Sequence, residues 1–286
     1  MAFTTIIGTN DLAAHAADPR WAIIDCRFQL ADVAWGERQY AAAHIPGAVY
    51  AHLDGDLSGP KTGTNGRHPL PDPAALADTF GRLGIANDMQ VIAYDQDSGM
   101  FASRLWWLLR WMGHDAVAIL DGGFAKWTAD GRPVVGADGD YNVRRPTRFT
   151  ESPRPGMTVD VSEVAARAGR RDSLLVDARA PERYRGEVEP LDRVAGHIPG
   201  AVNSFFQRNL DEHGQLRSPG DLREQWTAVL GDVPVDRVVC YCGSGVQACH
   251  NLLALEHAGL QGAKLYPGSW SEWSSDPARP VEPPPK

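Results

Sequence analysis

Short, almost continuously apolar runs recur along the chain at residues 22–25, 91–94 and 117–120, and again at 174–177, 238–241 and 264–266. Runs of that length, rich in aliphatic and β-branched residues, predict strands buried on both faces. Between them the pattern changes period. Phe101, Leu105, Leu108 and Met112 recur at helical spacing and are followed by Gly113 as a stop signal. Val246, Cys249 and Leu253 repeat that logic, with Gly259 closing the helix. Strands alternating with helices predict an α/β fold, a mostly parallel sheet with helices on both faces.

The two sets of elements are two copies of one pattern. The dipeptide Ile24-Asp25 with Arg27 matches Val176-Asp177 with Arg179, and the segment from His44 to Val49 recurs from His197 to Val202 as His-Ile-Pro-Gly-Ala-Val. Tyr94 and Arg132-Pro133-Val134 find counterparts in Tyr241 and Arg279-Pro280-Val281, again about 150 residues on. A repeat of this length excludes a solenoid and predicts two tandem domains. The expected division is 1–137 and 158–286, with a linker at 138–157 that holds Pro146, Pro153 and Pro155. Its Arg144, Arg145 and Arg148 read as a solvated face, and 280–286 as an extended tail.

Composition narrows the class. The 286 residues are 43% hydrophobic and 22% charged, an ordinary globular balance. Twenty-eight basic against 36 acidic side chains leave a net charge of −8, which argues against coating nucleic acid or an anionic membrane. No apolar run reaches the length of a membrane span, and no export signal opens the chain, so a cytoplasmic location is expected. Four cysteines without a CxxC pair predict neither a disulfide scaffold nor a metal site.

The repeat serves as an internal control: what both copies share serves the fold, and what one copy alone has is a candidate for chemistry. On that reading His44, His197, Arg27 and Arg179 are structural, and Trp127, Trp270 and Trp273 are core. The copies diverge after the 91–94 and 238–241 runs. The first reads Tyr94-Asp95-Gln96-Asp97-Ser98-Gly99, the second Tyr241-Cys242-Gly243-Ser244-Gly245-Val246-Gln247. A cysteine at a strand's carboxyl end, followed by glycines and a helix N-terminus, faces inward-pointing N–H groups and partial positive charge. Both favour a thiolate, so Cys242 is the candidate nucleophile, while Cys26, Cys240 and Cys249 suit buried structural roles.

Two His-Ile-Pro-Gly segments with one Cys-Gly-Ser-Gly-Val loop resemble the tandem rhodanese-domain sulfurtransferases over nearly the whole chain. The resemblance implies two rhodanese-like domains, of which the N-terminal is inactive, as Asp95 at the position of Cys242 suggests. It implies that Cys242 carries a persulfide and passes sulfur to a thiol acceptor such as thioredoxin or glutathione, or to cyanide, with no cofactor. Thiosulfate-using members typically have basic residues in the loop; the uncharged loop here resembles the 3-mercaptopyruvate branch, from which Gln247 departs.

That branch resemblance also implies the remaining site residues. The loop positions Gly243, Gly245, Val246 and Gln247 are expected to hold substrate. In Arg183-Tyr184-Arg185-Gly186 the second arginine, Arg185, is expected to clasp the donor carboxylate with Arg193, leaving Arg183 as a surface charge. Bidentate arginine suits that task. Ser244 is expected to form a proton relay with His68 and Asp54, Asp56 being the alternative carboxylate. A phosphatase-like loop is excluded, because Ala248 stands where an arginine six positions after the cysteine is needed. Thiosulfate:cyanide sulfurtransferase and a non-catalytic sulfur-relay module are the competing readings.

Overall fold

The computed structural model describes residues 2–136 and 144–282. Part of the expected linker and the last four residues of the expected tail lie outside these ranges. The described chain forms two compact units: residues 2–58, 71–136, 144–154 and 212–216 build the first, and 59–70, 155–211 and 217–282 the second.

In the first unit β1 (Ile6–Ile7), α1 (Thr9–His15), β2 (Trp21–Asp25), α2 (Trp35–Ala42), β3 (Ala48–Tyr50), α3 (Pro73–Arg82), β4 (Gln90–Tyr94), α4 (Ala102–Trp111), β5 (Val117–Leu120) and α5 (Gly123–Ala129) follow in order. The sheet is parallel throughout, ordered β1-β5-β4-β2-β3. Every residue of β4 and β5 is buried, the signature of strands covered on both faces. The expected helix around Leu105 forms, but residues 102–109 are buried all round rather than along one stripe. Even Arg104 is buried, its guanidinium donating to the Leu57 carbonyl at 3.3 Å.

The second unit repeats the plan with α6 (Val161–Arg167), β6 (Leu174–Asp177), α7 (Pro181–Tyr184), β7 (Val202–Asn203), α8 (Pro219–Leu230), β8 (Val238–Tyr241), α9 (Gln247–His257), β9 (Lys264–Leu265) and α10 (Ser269–Trp273). Its parallel sheet runs β7-β6-β8-β9. An isolated parallel bridge from Thr158 to Leu265 stands where β1 pairs β5 in the first unit. Local signals set the helix starts: Asp160 and Glu163 close a capping box on α6, and Ser218 caps α8 ahead of Pro219.

The residues shared by both copies are structural. Asp25 and Asp177 are buried and each receives its own arginine's Nη2, at 2.6 Å from Arg27 and 2.7 Å from Arg179. His44 and His197 each hold a helix-end tyrosine's carbonyl through Nδ1 at 2.8 Å and stack on that ring. Trp127, Trp270 and Trp273 are buried, and each indole N–H donates to a carbonyl. Arg144 departs from the expected solvated face. Its guanidinium donates to the carbonyls of Gly84, Trp21 and Pro19, so the segment after 143 packs into the first unit. Among the described residues no helix is long and apolar enough to cross a membrane.

Candidate active site

The chain leaves the carboxyl end of β8, a central strand, at Tyr241, turns through residues 242–246 and enters α9 at Gln247. This is where an open parallel sheet presents ligand-binding groups. Cys242 is buried, and its Sγ accepts the backbone N–H groups of Gly245 at 3.2 Å and Ser244 at 3.5 Å. Gly245 makes that turn at φ +78°, and a Cβ there would come within 2.5 Å of the Pro267 carbonyl. Only glycine meets both demands.

Ser269 holds the backbone of Cys242. Its hydroxyl accepts the Cys242 N–H at 3.1 Å and donates to the Tyr266 carbonyl at 2.9 Å. The residue is fully buried at φ 54°, a left-handed conformation unusual for a non-glycine residue. The first unit has Gly123 in the same place, at φ 58°. The next N–H there binds the Asp95 carbonyl, as that of Trp270 binds Cys242's. The repeat comparison singled out the neighbouring tryptophan and passed over this serine; the exchange of glycine for serine is the signal that marks it.

Segment 59–70, from the first half of the sequence, is part of the second unit and brings His68 to the loop. His68 is buried, and its Nδ1 shares a 2.7 Å hydrogen bond with Ser244 Oγ. Of the two candidate carboxylates, both in the first unit, Asp56 closes the 52–56 turn: it accepts the His52 N–H at 2.8 Å and Arg82 at 2.9 Å. Asp54 is half-buried in the same turn, its N–H donating to His52 Nδ1.

The cations are distributed differently from expectation. A Cβ on Gly243 would stand 2.7 Å from Arg67 Nη2 and 3.4 Å from Arg183 Nη1, so two guanidinium groups flank the loop there. Arg183 also holds Glu189 at 2.6 Å, and Arg67 pairs with Asp192. Burial raises the Asp192 carboxyl above its ordinary pKa, against the pull of Arg67. Arg183, expected as a surface charge, is thus mostly buried at the loop, whereas Arg185 is tied to Glu187 at 2.7 and 2.9 Å, both side chains about half exposed. The reason is helical geometry: Arg183 lies within α7 and Arg185 caps it, and positions two apart project to roughly opposite sides. Arg193 is exposed and borders a neighbouring cavity with Arg67. Arg67, adjacent to His68, had no assigned role; its position beside a candidate relay residue was the available clue.

The first unit's equivalent loop holds its own anion. The Asp95 carboxylate accepts N–H groups of Asp97, Gly99, Phe101 and Ala102 at 2.7–3.2 Å. Burial pushes its pKa up to about 6 despite those bonds. The unfolded carboxyl, with its pKa near 3.8, releases its proton first as pH rises, so this group favours the fold most below pH 4. As pH rises from below 3 to above 7 that contribution falls by about 3 kcal/mol in all, about 2 kcal/mol of it between pH 4 and 6. Urea unfolding of the full chain and of Asp95→Asn at pH 4.5, 6 and 7.5 is expected to show their stability difference shifting by about 2 kcal/mol over that range; a pH-independent difference excludes the linkage.

Comparison with known proteins follows the two units. The family described as Rhodanese-like domain matches residues 9–130 and 160–276. A Pseudomonas aeruginosa protein named "Probable 3-mercaptopyruvate sulfurtransferase" is 46% identical over 283 residues, covering 98% of this chain and 99% of its own. Bovine thiosulfate sulfurtransferase is 31% identical over 282 residues, covering 95% and 92%. The solved structure of 3-mercaptopyruvate sulfurtransferase from Leishmania major matches with a TM-score of 0.83 and 31% identity, over 95% of this chain and 74% of that one.

Proposed function

The chain belongs to the rhodanese-like family, and from that premise we propose that it is a sulfurtransferase that takes sulfur from 3-mercaptopyruvate onto Cys242 as a persulfide and delivers it to a thiol or to cyanide. The observation that carries this reading is the Cys242 sulfur cradled by loop N–H groups next to the Ser244–His68 pair. Two donors are represented among the relatives, so similarity leaves the choice to the site. The loop itself carries no charge, and a Ser–His pair suits a donor that leaves as an enolate.

In the first half-reaction the Cys242 thiolate attacks the donor sulfur. The carbon–sulfur bond breaks, and its electron pair passes to the pyruvate enolate. Ser244 donates its hydroxyl proton toward the enolate, and His68 replaces it. Arg183 holds the donor carboxylate. In the second half-reaction an acceptor thiolate attacks the outer sulfur, forming a new persulfide and releasing the Cys242 thiolate.

A second donor is favoured by one observation: the paired guanidinium groups of Arg67 and Arg183 at Gly243 suit a dianion such as thiosulfate. Steady-state kcat/KM for both donors, with cyanide as acceptor, tests the reading. A higher value for 3-mercaptopyruvate is expected; a higher value for thiosulfate reverses the assignment, and no transfer from either removes it.

Arg183→Ala is expected to lower kcat/KM for 3-mercaptopyruvate about ten- to a hundred-fold, the cost of about 1.5–3 kcal/mol for a charge-assisted contact. Arg183→Lys should remain impaired, because a point charge lacks the planar fork. Arg185→Ala should stay within about twofold, as exposed ion pairs contribute little. The opposite order returns the clasp to Arg185.

A further inference from the structure

The guanidinium groups beside Gly243 belong to a row of charges that alternates in sign within the second unit. From the strand end outward, Asp177 holds Arg179 at 2.7 Å, Arg179 holds Glu189 at 3.2 Å, and Glu189 holds Arg183 at 2.6 Å. Asp192 completes the row, lying 3.5 Å from Arg183 and paired with Arg67. Three arginines thus meet three carboxylates, and the carboxylate side chains are no more than 7% exposed. In the first unit, which has Asp95 in place of the cysteine, the stretch between Arg27 and His44 pairs Arg38 with Asp32, both about half exposed. Burying such pairs beside the loop distinguishes the copy that bears the cysteine.

We propose that Asp192 is a specificity-determining residue: its carboxylate offsets one of the two positive charges at Gly243 and so favours a singly charged sulfur donor over a doubly charged one. The inference rests on the sulfurtransferase reading for the donor's chemistry, though not for anion binding. Glu189 is shared between Arg179 and Arg183, and Asp192 between Arg183 and Arg67, so the row as a whole is neutral. Coulomb energy scales with ligand charge, so a fixed carboxylate repels a dianion twice as strongly as a monoanion in the same place. Burial keeps that repulsion from being screened by salt. Hydrogen bonding does not account for the residue. Asp192 Oδ2 is buried and accepts no hydrogen bond among the described residues, whereas a carboxylate kept for its bonds has both oxygens satisfied.

Thiosulfate and methanethiosulfonate differ by one charge yet load Cys242 alike. The thiolate attacks the outer sulfur, the sulfur–sulfur bond breaks, and its electron pair leaves on sulfite or methanesulfinate. In the full chain carrying Asp192→Asn, kcat/KM is expected to rise about threefold for methanethiosulfonate and 3-mercaptopyruvate and about tenfold for thiosulfate. Asp192→Glu keeps the charge and should keep the wild-type ratio between donors. Binding is read separately on unloaded protein, from NMR shifts of the Gly243 amide. The Kd in Asp192→Asn should fall about threefold for methanesulfonate and about tenfold for sulfate, neither of which can give up sulfur to a thiolate. Where Asp192→Asn does not fold, Arg67→Gln takes its place with the sign reversed, the dianions losing more than the monoanions. Equal changes for singly and doubly charged anions, losses with every donor alike, or an Asp192→Glu ratio that follows Asp192→Asn each overturn the proposal. The expected Kd pattern in a protein that transfers no sulfur overturns the sulfurtransferase reading and supports the charge assignment. Sulfur transfer with donor ratios and Kd values indifferent to Asp192→Asn does the reverse.

Discussion

Cys242→Ser is expected to abolish sulfur transfer from either donor, a loss of at least about 10³-fold in kcat, as removal of a covalent nucleophile produces elsewhere. A serine oxygen in the same place accepts the same N–H bonds but forms no persulfide, so the loss reports chemistry rather than folding. Exposure of the wild type to donor without acceptor should add one sulfur atom to the peptide containing Cys242, measured by mass spectrometry. The other three thiols are poor competitors. Cys26, Cys240 and Cys249 are buried, and burial pushes the Cys26 and Cys240 thiols far above the ordinary cysteine range, which keeps them protonated. Sulfur recovered on any of these three would reassign the nucleophile.

His68→Ala is expected to slow 3-mercaptopyruvate turnover about 10²–10⁴-fold, the usual worth of positioned acid–base assistance. Thiosulfate turnover should fall far less, because sulfite leaves as a stable anion and needs no proton delivered to carbon or oxygen. Parallel assays with both donors separate the two cases. Equal losses would indicate damage to the loop, and wild-type rates with both would make His68 a bystander. The same geometry bears on the isolated C-terminal half. A fragment beginning at Gly156 lacks residues 59–70, hence both the His68 partner of Ser244 and the Arg67 guanidinium at Gly243. It should be strongly impaired with 3-mercaptopyruvate even where it folds.

Much of this protein is written locally. The apolar runs at 22–25, 91–94, 117–120, 174–177 and 238–241 became strands within a residue of their expected ends, because a strand buried on both faces needs a continuous apolar run whatever surrounds it. The two-residue strand Ile6–Ile7 escaped notice because it is too short to carry a period. The duplicated His-Ile-Pro-Gly turns are equally local, each closing on a carbonyl of its own copy. Cys242 could be found from sequence because a strand end, two glycines and a helix start are consecutive.

Residues that converge from afar were legible only in part. His68 could be named through family resemblance, but its bond to Ser244 depends on segment 59–70 being part of the second unit. Arg183 and Arg185 are indistinguishable by charge and spacing to Gly186; the start of α7 at Pro181 decides which faces Gly243. Ser269 occupies a glycine's conformation, and only its bond to the Cys242 N–H explains a serine there. Sequence by itself determined the repeat, the strands and the cysteine loop, since periodicity and turn chemistry act between near neighbours. Tertiary structure alone decided which cations flank that loop at Gly243 and which hydroxyl bonds the Cys242 N–H, since side-chain direction is set by packing between elements far apart in the chain.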